Sequence, residues 1–387
     1  MNTLPFSELI EINPHVKIKK SKEYPFVEMA IVEPGRRYVR TDQSRIFQGG
    51  GAKFLSGDTL FARITPCLEN GKIAQYQAIV GQAGFGSTEF FVLRARPGVS
   101  DSGFIYYLAK SDLIRKPAEK SMSGASGRQR ADLKSIVDLE VPSPLLPTQR
   151  KIAAILSAYD DLIENNLRRI KILEEMAQNL YREWFIKFRF PGHQHARFTD
   201  SPLGWIPVGW EVKKLGEFLE LNYGKALKKE DRRGGDVPVY GSSGVVGYHD
   251  VPLVNGPGIV VGRKGNVGSV YWSDESFFPI DTAYFVTSKM PLRFLFYDLQ
   301  TKNFLNNDAA VPGLNRNQAY SLETVTPPED IMTRFCQFAN DFERQTAVLR
   351  LQNTTLRRTR DLLLPRLISG DVDVSERDIT IPEEAQA

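Results

Sequence analysis

Between Pro147-Thr148 and Pro191-Gly192 the chain runs without proline or glycine, and this stretch carries a heptad seam. Ile152, Leu156, Tyr159, Ile163, Asn166, Ile170, Leu173, Ala177, Leu180 and Trp184 alternate at spacings of four and three. That spacing keeps one apolar stripe on one face of a helix. Arg168, Arg169, Lys171, Glu174 and Glu175 fill the other faces. About 40 residues at ~1.5 Å rise make a rod of ~60 Å, which outruns one small domain. A coiled coil is therefore expected over 145–190, in preference to a single core helix. A second seam follows at Phe335, Phe338, Phe342, Gln345, Leu349, Gln352, Leu356, Thr359 and Leu363. It is more polar and predicts a helix over 329–370, with Asp330 as N-cap, Pro365 as end or kink and Gly370 as stop. Two such rods in one chain pair most simply antiparallel. Asn166 in an apolar seam either sets register or faces solvent where the seam loosens.

Each rod follows a copy of the same motif. Phe6-Ser-Glu-Leu-Ile-Glu-Ile-Asn13 with Lys19-Lys20 matches Leu215-Gly-Glu-Phe-Leu-Glu-Leu-Asn222 with Lys228-Lys229 at a constant offset of 209. Five of fifteen aligned positions are identical, where average composition gives roughly one. Further on, Gly57–Arg63 resembles Gly258–Arg263, and Thr88–Val92 resembles Thr282–Val286. Gly127, Arg130, Ser135 and Pro142 align with Gly313, Arg316, Ser321 and Pro328 at an offset of 186. The shrinking offset means loops of different length inside two copies of one fold. Short β-rich runs at Phe26–Val32, Thr59–Ile64, Phe90–Leu93, Ile259–Val261, Val267–Trp272 and Tyr284–Val286 alternate with Gly-rich turns. One helix per copy is expected, near Phe104–Leu113 and Arg293–Phe304. The fold class is α/β (α+β): two similar domains related by pseudo-two-fold symmetry and separated by an antiparallel pair of helices. The domains are placed at 1–144 and 213–328, with a linker at 191–212 and an acidic tail at 371–387 expected to be disordered.

Composition narrows the functional classes. The 387 residues, 42% hydrophobic and 25% charged, are ordinary globular material and call for more than one core. Cys67 and Cys336 stand far apart, and His15, His193, His195 and His249 lack zinc spacing, so neither a disulfide framework nor structural zinc is expected. No apolar run reaches membrane-spanning length and no basic–apolar leader opens the chain, which points to a reducing cytoplasm. Net charge is +4. Residues 1–142 hold 20 Lys and Arg against 15 Asp and Glu, whereas 371–387 holds one Arg against six acids, so the body is more basic than the total. Gly81-Gln-Ala-Gly-Phe-Gly-Ser-Thr88 fits a phosphate loop, but Ser87 replaces the lysine and a strand follows instead of a helix. Asn13-Pro14-His15 is not an amino-methylation motif, and no methyl-donor loop or nucleophile–base set stands out. Catalysis is therefore not expected of this chain, nor a metal or a cofactor.

Two similar domains held apart by a rigid spacer suit a duplex, whose half-sites lie about one turn, roughly 34 Å, apart. Unlike copies would read two different short sequences around an unread spacer. Arg forks onto guanine O6 and N7, and Asn or Gln onto adenine. The candidate DNA contacts are Arg63, Lys72, Arg128, Gln129 and Arg130 in the first copy. In the second they are Arg263, Lys264, Asn266, Asn315, Arg316 and Asn317, with Gln318 beside them. The plainer alternatives are ordinary polar turns, or pairing of Arg130 and Arg316 to acids.

The linker Pro202-Leu-Gly-Trp-Ile-Pro-Val-Gly-Trp-Glu-Val212 and the ending Leu362-Leu-Leu-Pro-Arg-Leu-Ile-Ser-Gly370 carry a family resemblance. So do Pro142–Gln149 and Asn179-Leu-Tyr-Arg-Glu-Trp-Phe185. Together with the domain order, the chain resembles the specificity subunits of type I restriction–modification enzymes over nearly its whole length. That resemblance implies two target-recognition domains on double-stranded DNA and paired helices that dock two methylation subunits, with restriction–translocase subunits completing the complex. Helix pairing and partner docking would fall to Leu156, Tyr159, Ile163, Asn166, Ile170, Leu173, Leu180, Trp184, Phe338, Phe342, Leu349, Leu356 and Leu363. S-adenosylmethionine would belong to the methylation partner, and ATP and Mg to the restriction partner. The competing expectation is a coiled-coil scaffold with two β-rich modules and no DNA role.

Overall fold

The computed structural model describes residues 2–79, 83–125, 127–304 and 313–381. It divides into two compact units, residues 1–168 with 349–387, and residues 169–348.

The first unit opens with β1 (Thr3–Pro5), α1 (Phe6–Leu9) and β2 (Ile10–Ile12). Then come β3 (Glu23–Val27), β4 (Tyr38–Val39), β5 (Ser44–Ile46), β6 (Ala52–Leu55), β7 (Thr59–Ala62), β8 (Ile73–Tyr76), β9 (Ala83–Gly86) and β10 (Phe90–Ala95). Helices α2 (Ser102–Lys110), α3 (Asp112–Lys120) and α4 (Lys134–Val137) precede β11 (Glu140–Pro142). The central sheet has the order β2-β10-β7-β8-β4, a second sheet β5-β3-β9-β6, and β1 pairs with β11. β7 and β8 are buried along their whole length. Their alternating side chains explain this: Phe61 and Ile73 join the core of α2, while Leu60 and Ala74 face Val27 and Phe54. Asp101 caps α2 by accepting from the Phe104 N–H at 2.9 Å.

Helix α5 (Leu146–Tyr181) runs from the first unit into the second and ends in a π-helical turn at Arg182–Ile186. The second unit continues with β12 (Phe198–Thr199), β13 (Ile206–Pro207), β14 (Glu211–Lys214), β15 (Leu219–Tyr223), β16 (Val237–Gly241) and β17 (Gly244–His249). β18 (Gly258–Gly262), β19 (Val270–Ser273), β20 (Phe278–Pro279), β21 (Ala283–Ser288), α6 (Leu292–Gln300), α7 (Arg316–Ser321) and β22 (Glu323–Thr326) complete it. α8 (Glu329–Ser369) then leads back into the first unit. The central sheet β15-β21-β18-β19 repeats β2-β10-β7-β8, and the β14–β22 pair repeats β1–β11.

The 209 offset survives in the backbone: Ile12 faces Leu93, and Leu221 faces Val286. The later equivalences slip. Leu93 and Val286 differ by 193, so Glu89, not Thr88, stands where Thr282 stands. Leu4 faces Val141 and Lys213 faces Thr324, an offset of 183 for the closing strand in place of 186. Arg130 thus corresponds to Gly313 and not to Arg316, as the bridges Ile64–Arg130 and Lys264–Gly313 also require. Hydrogen-bonded register decides such matches, because a one-residue slip turns every side chain to the opposite face.

Each long helix also contributes side chains to the core of both units. In the first unit Ile152 and Leu156 pack with Leu364, Leu367 and Ile368 into the domain core. In the second, Ala177, Tyr181 and Trp184 pack with Phe335 and Ala339. Within each unit the helices run antiparallel. In the first, Asp160 meets Arg360 and Asn166 meets Asn353. In the second, Tyr181 and Trp184 lie against Phe335 at centroid distances of 5.7 and 6.2 Å. The seam of α5 is as expected, with Tyr159, Leu173 and Leu180 half-buried. On α8 the positions Phe335, Phe342, Leu349, Leu356 and Leu363 hold, but the alternate rows lie one residue later, at Ala339, Thr346, Asn353 and Arg360. Phe338, Gln345 and Gln352 are exposed. Hydropathy favoured Phe338 over Ala339, yet the polar members of the first unit's seam find buried polar partners there. Asp330 sits in the first turn and does not cap it, and α8 continues through Pro365, which is exposed. α5 stops short of residue 190.

The tail expected to be disordered packs, as far as residue 381, on the first unit. Val374 is buried with Leu367 and Ile368, Val372 and Ile379 pack beside it, and Lys151 Nζ donates to the Ser375 carbonyl at 2.6 Å. Alternate apolar residues among the acids supply that grip. Residues 382–387 lie outside the described residues, as do Gly81 and Gln82 of the phosphate-loop-like run and Pro312.

Candidate nucleic-acid interface

In each unit an arginine follows the buried central strand. Arg63 N–H donates to the Glu89 carbonyl at 3.0 Å, and Arg263 N–H to the Thr282 carbonyl at 2.9 Å. The carbonyl of each arginine accepts from the later loop, Ala131 N at 2.7 Å and Leu314 N at 2.8 Å. The backbone thus builds the same corner twice, joining the loop after the strand to the loop before the last strand.

The side chains on that corner differ. In the first unit Arg130 grips Glu89 through Nε and Nη2, with Nη2 at 2.7 Å, and Arg63 Nε reaches the same carboxylate at 3.3 Å. Arg63 also lies over the Phe91 ring at 5.3 Å. The Arg130 hydrogen bond, then that from Arg63, holds the Glu89 carboxyl below its usual range. Arg130 is therefore paired to an acid, as the plainer alternative held. Arg128 is at the exposed tip of the loop whose backbone pairs Ser123 with Arg130, and Gln129 is half-buried with its carbonyl accepting from Thr65 N at 3.0 Å. Lys72 is turned away, with Nζ donating to the Met29 carbonyl at 2.8 Å.

In the second unit the partner is aromatic. Arg263 and Arg316 lie over the ring of Tyr223 at 4.8 and 4.6 Å, and Arg263 lies 5.8 Å from Tyr284. Arg263 Nη1 donates to the Asp281 carbonyl at 2.9 Å, and Arg316 Nη1 to the Leu221 carbonyl at 3.2 Å. Neither has a carboxylate partner among the described residues. Among the described residues Arg316 is thus bound to a carbonyl and a ring, not to an acid. The loop after Arg263 folds tightly: Gly268 N–H donates to the Gly262 carbonyl at 2.9 Å, and a Cβ on Gly262 would meet the Asn266 carbonyl oxygen at 2.1 Å. This turn leaves Lys264 and Asn266 exposed. Asn315 does not point outward freely, because its Oδ1 accepts from Asn317 N at 2.9 Å and caps α7. Asn317 is exposed, and the Gln318 side-chain oxygen is buried without a hydrogen bond among the described residues.

Glu89, Tyr223 and Tyr284 are the participants that sequence reasoning missed. Tyr223 follows the shared Asn222 directly, so the one aromatic departure at the end of the repeat was an available signal. Glu89 carried none, because its role depends on two arginines 26 and 41 residues away. No group of three or more His, Cys, Asp or Glu able to hold a metal occurs among the described residues, and none of their helices is long and apolar enough to cross a membrane.

The family model described as "Type I restriction modification DNA specificity domain" matches residues 10–175 and 207–345. The type I restriction enzyme MjaIX specificity subunit of Methanocaldococcus jannaschii is 26% identical over 71% of this chain and 70% of its own length. The HindI specificity subunit of Haemophilus influenzae is 22% identical over 74% of this chain and 81% of its own. The crystal structure of the type I restriction–modification S subunit from M. genitalium has the same fold, with a TM-score of 0.54 and 17% identity over 95% of this chain and 96% of that one. With the match spread over both copies of the repeat, this chain belongs to the family of type I restriction–modification DNA specificity proteins.

Proposed function

We propose that this chain is the DNA sequence-specificity subunit of a type I restriction–modification complex, binding a bipartite asymmetric site with one half read by each unit. One observation carries this reading. The same backbone corner is built twice, with an Arg–Glu–Arg cluster on one copy and an Arg–Tyr–Arg cluster on the other. Identical scaffolds with unlike reading groups suit two different half-sequences. A scaffold with no DNA role leaves unexplained why both corners hold clustered guanidinium groups.

The chain targets and does not catalyse. Methylation subunits would bring S-adenosylmethionine, and restriction subunits ATP and Mg; no cofactor is assigned to residues of this chain. The buried seam residues Leu156, Ile163, Ile170 and Leu349 brace the helices and are covered. A docking partner would meet the exposed apolar side chains instead, Leu162, Leu351 and Leu362 in the first unit and Ile172, Met176 and Val348 in the second. Phosphate contacts from both units would seat the duplex, and a partner would extrude the adenine for methylation.

Methylome sequencing of cells carrying this chain with a methylation subunit tests the reading. The expected result is one modified motif made of two unlike halves around an unread spacer. A palindromic motif, or none, would overturn it.

A further inference from the structure

Three of the residues that the two copies share have a structural hydrogen bond. Asn13 Oδ1 accepts from Val92 N at 3.0 Å, and Asn222 Nδ2 donates to Thr287 Oγ1 at 2.9 Å, so each asparagine ties its strand to its neighbour. Glu217 accepts from Lys214 N at 2.7 Å and closes a turn. The shared lysines differ. Lys19, Lys20, Lys228 and Lys229 are exposed, and their ammonium groups have no carboxylate partner among the described residues. Each pair begins seven residues beyond a structurally equivalent strand position, Ile12 or Leu221. Lys17 and Lys22 flank the first pair, and Lys225, Glu230 and Asp231 the second.

Resting on the DNA-reading function proposed above, we infer that Lys19-Lys20 and Lys228-Lys229 are matched phosphate-contact pairs that grip the duplex backbone whatever its sequence. The unlike clusters around Glu89 and Tyr223 are left to read bases. A lysine is a mobile point charge suited to phosphate, whereas the planar arginine fork suits base edges. A backbone contact is needed equally at both half-sites, which explains why these side chains recur where the reading groups do not.

The test uses the full chain assembled with its methylation subunit, as parent, K19Q/K20Q and K228Q/K229Q. Affinity is measured against KCl concentration for a short random-sequence duplex and for one carrying the motif that the parent complex methylates. Each double substitution should lower the log–log slope by up to about 1.8, at ~0.9 per lost phosphate contact. Both duplexes should weaken by the same factor, and the methylated motif should not change. Lys→Arg versions should keep the parent slope. Unchanged slopes in the Gln variants, or loss confined to the motif duplex, would overturn the inference while leaving the parent's DNA binding intact. A parent complex that binds neither duplex would overturn the function itself, and this inference with it.

Discussion

In the first unit Asn166 Nδ2 donates to Asn353 Oδ1 at 3.0 Å, with both residues buried between the two long helices. Asn353 in turn reaches the Ile163 carbonyl at 3.5 Å. A buried amide pair adds little net stability but admits few alternative registers, since any slip leaves both amides unpaired. Asn166→Leu alone strands Asn353 and should cost about 1–3 kcal/mol in chemical denaturation. The double change to leucine should recover that loss and loosen register or association state, detectable by light scattering. Equal destabilisation by the single and double variants would contradict a register role.

Lys110 supplies a pH prediction. Burial first, then Arg360, pushes its ammonium from 10.5 down to about 8, and its Nζ has only a 3.8 Å approach to Asp361. The unfolded chain therefore holds more protons than the folded one between about 8 and 10.5, and stability should rise with pH across that window. Below about 8 the cost is fully present. Lys110→Met should then be the more stable protein at pH 7, by on the order of 2 kcal/mol. Its advantage should fade toward pH 10.5 in parallel thermal melts.

Glu89 binds two guanidinium groups, Arg130 and Arg63. Replacing it by Gln removes one negative charge from the first unit's corner. Affinity for random duplex should increase and its salt slope steepen by up to about 0.9. Reading of one half of the motif should relax while the other half is kept. Titration of competitor duplexes altered in one half at a time separates these effects.

Arg263 is held between Tyr223 and the Asp281 carbonyl. Arg263→Ala should cost about 1–3 kcal/mol on the motif duplex and relax one half-site only. Arg263→Lys should not restore it, because lysine offers no fork and a poorer stack. Equal loss of discrimination at both halves would contradict modular readout.

The parts legible in the chain were those set by local period and by repetition. The α5 stripe from Ile152 to Trp184 follows from spacing alone, because a helix presents the same face every three to four residues. The offset of 209 between Asn13 and Asn222 marks equivalent strands from the sequence alone. The α8 rows at Ala339, Thr346, Asn353 and Arg360 were not legible, because a polar residue is acceptable in a seam only when the facing helix answers it. Asp160 and Asn166 are those answers in the first unit.

By itself the sequence determined two copies of an α/β scaffold, each followed by a long helix, since burial periodicity and internal likeness are properties of the chain. Only the tertiary structure decided which side chains meet. It put Glu89 in reach of both Arg63 and Arg130, both Arg263 and Arg316 over the Tyr223 ring, and the stretch around Val374 onto the first core. Those pairings join residues far apart in the chain, and their energies depend on distance and burial, which no local pattern encodes.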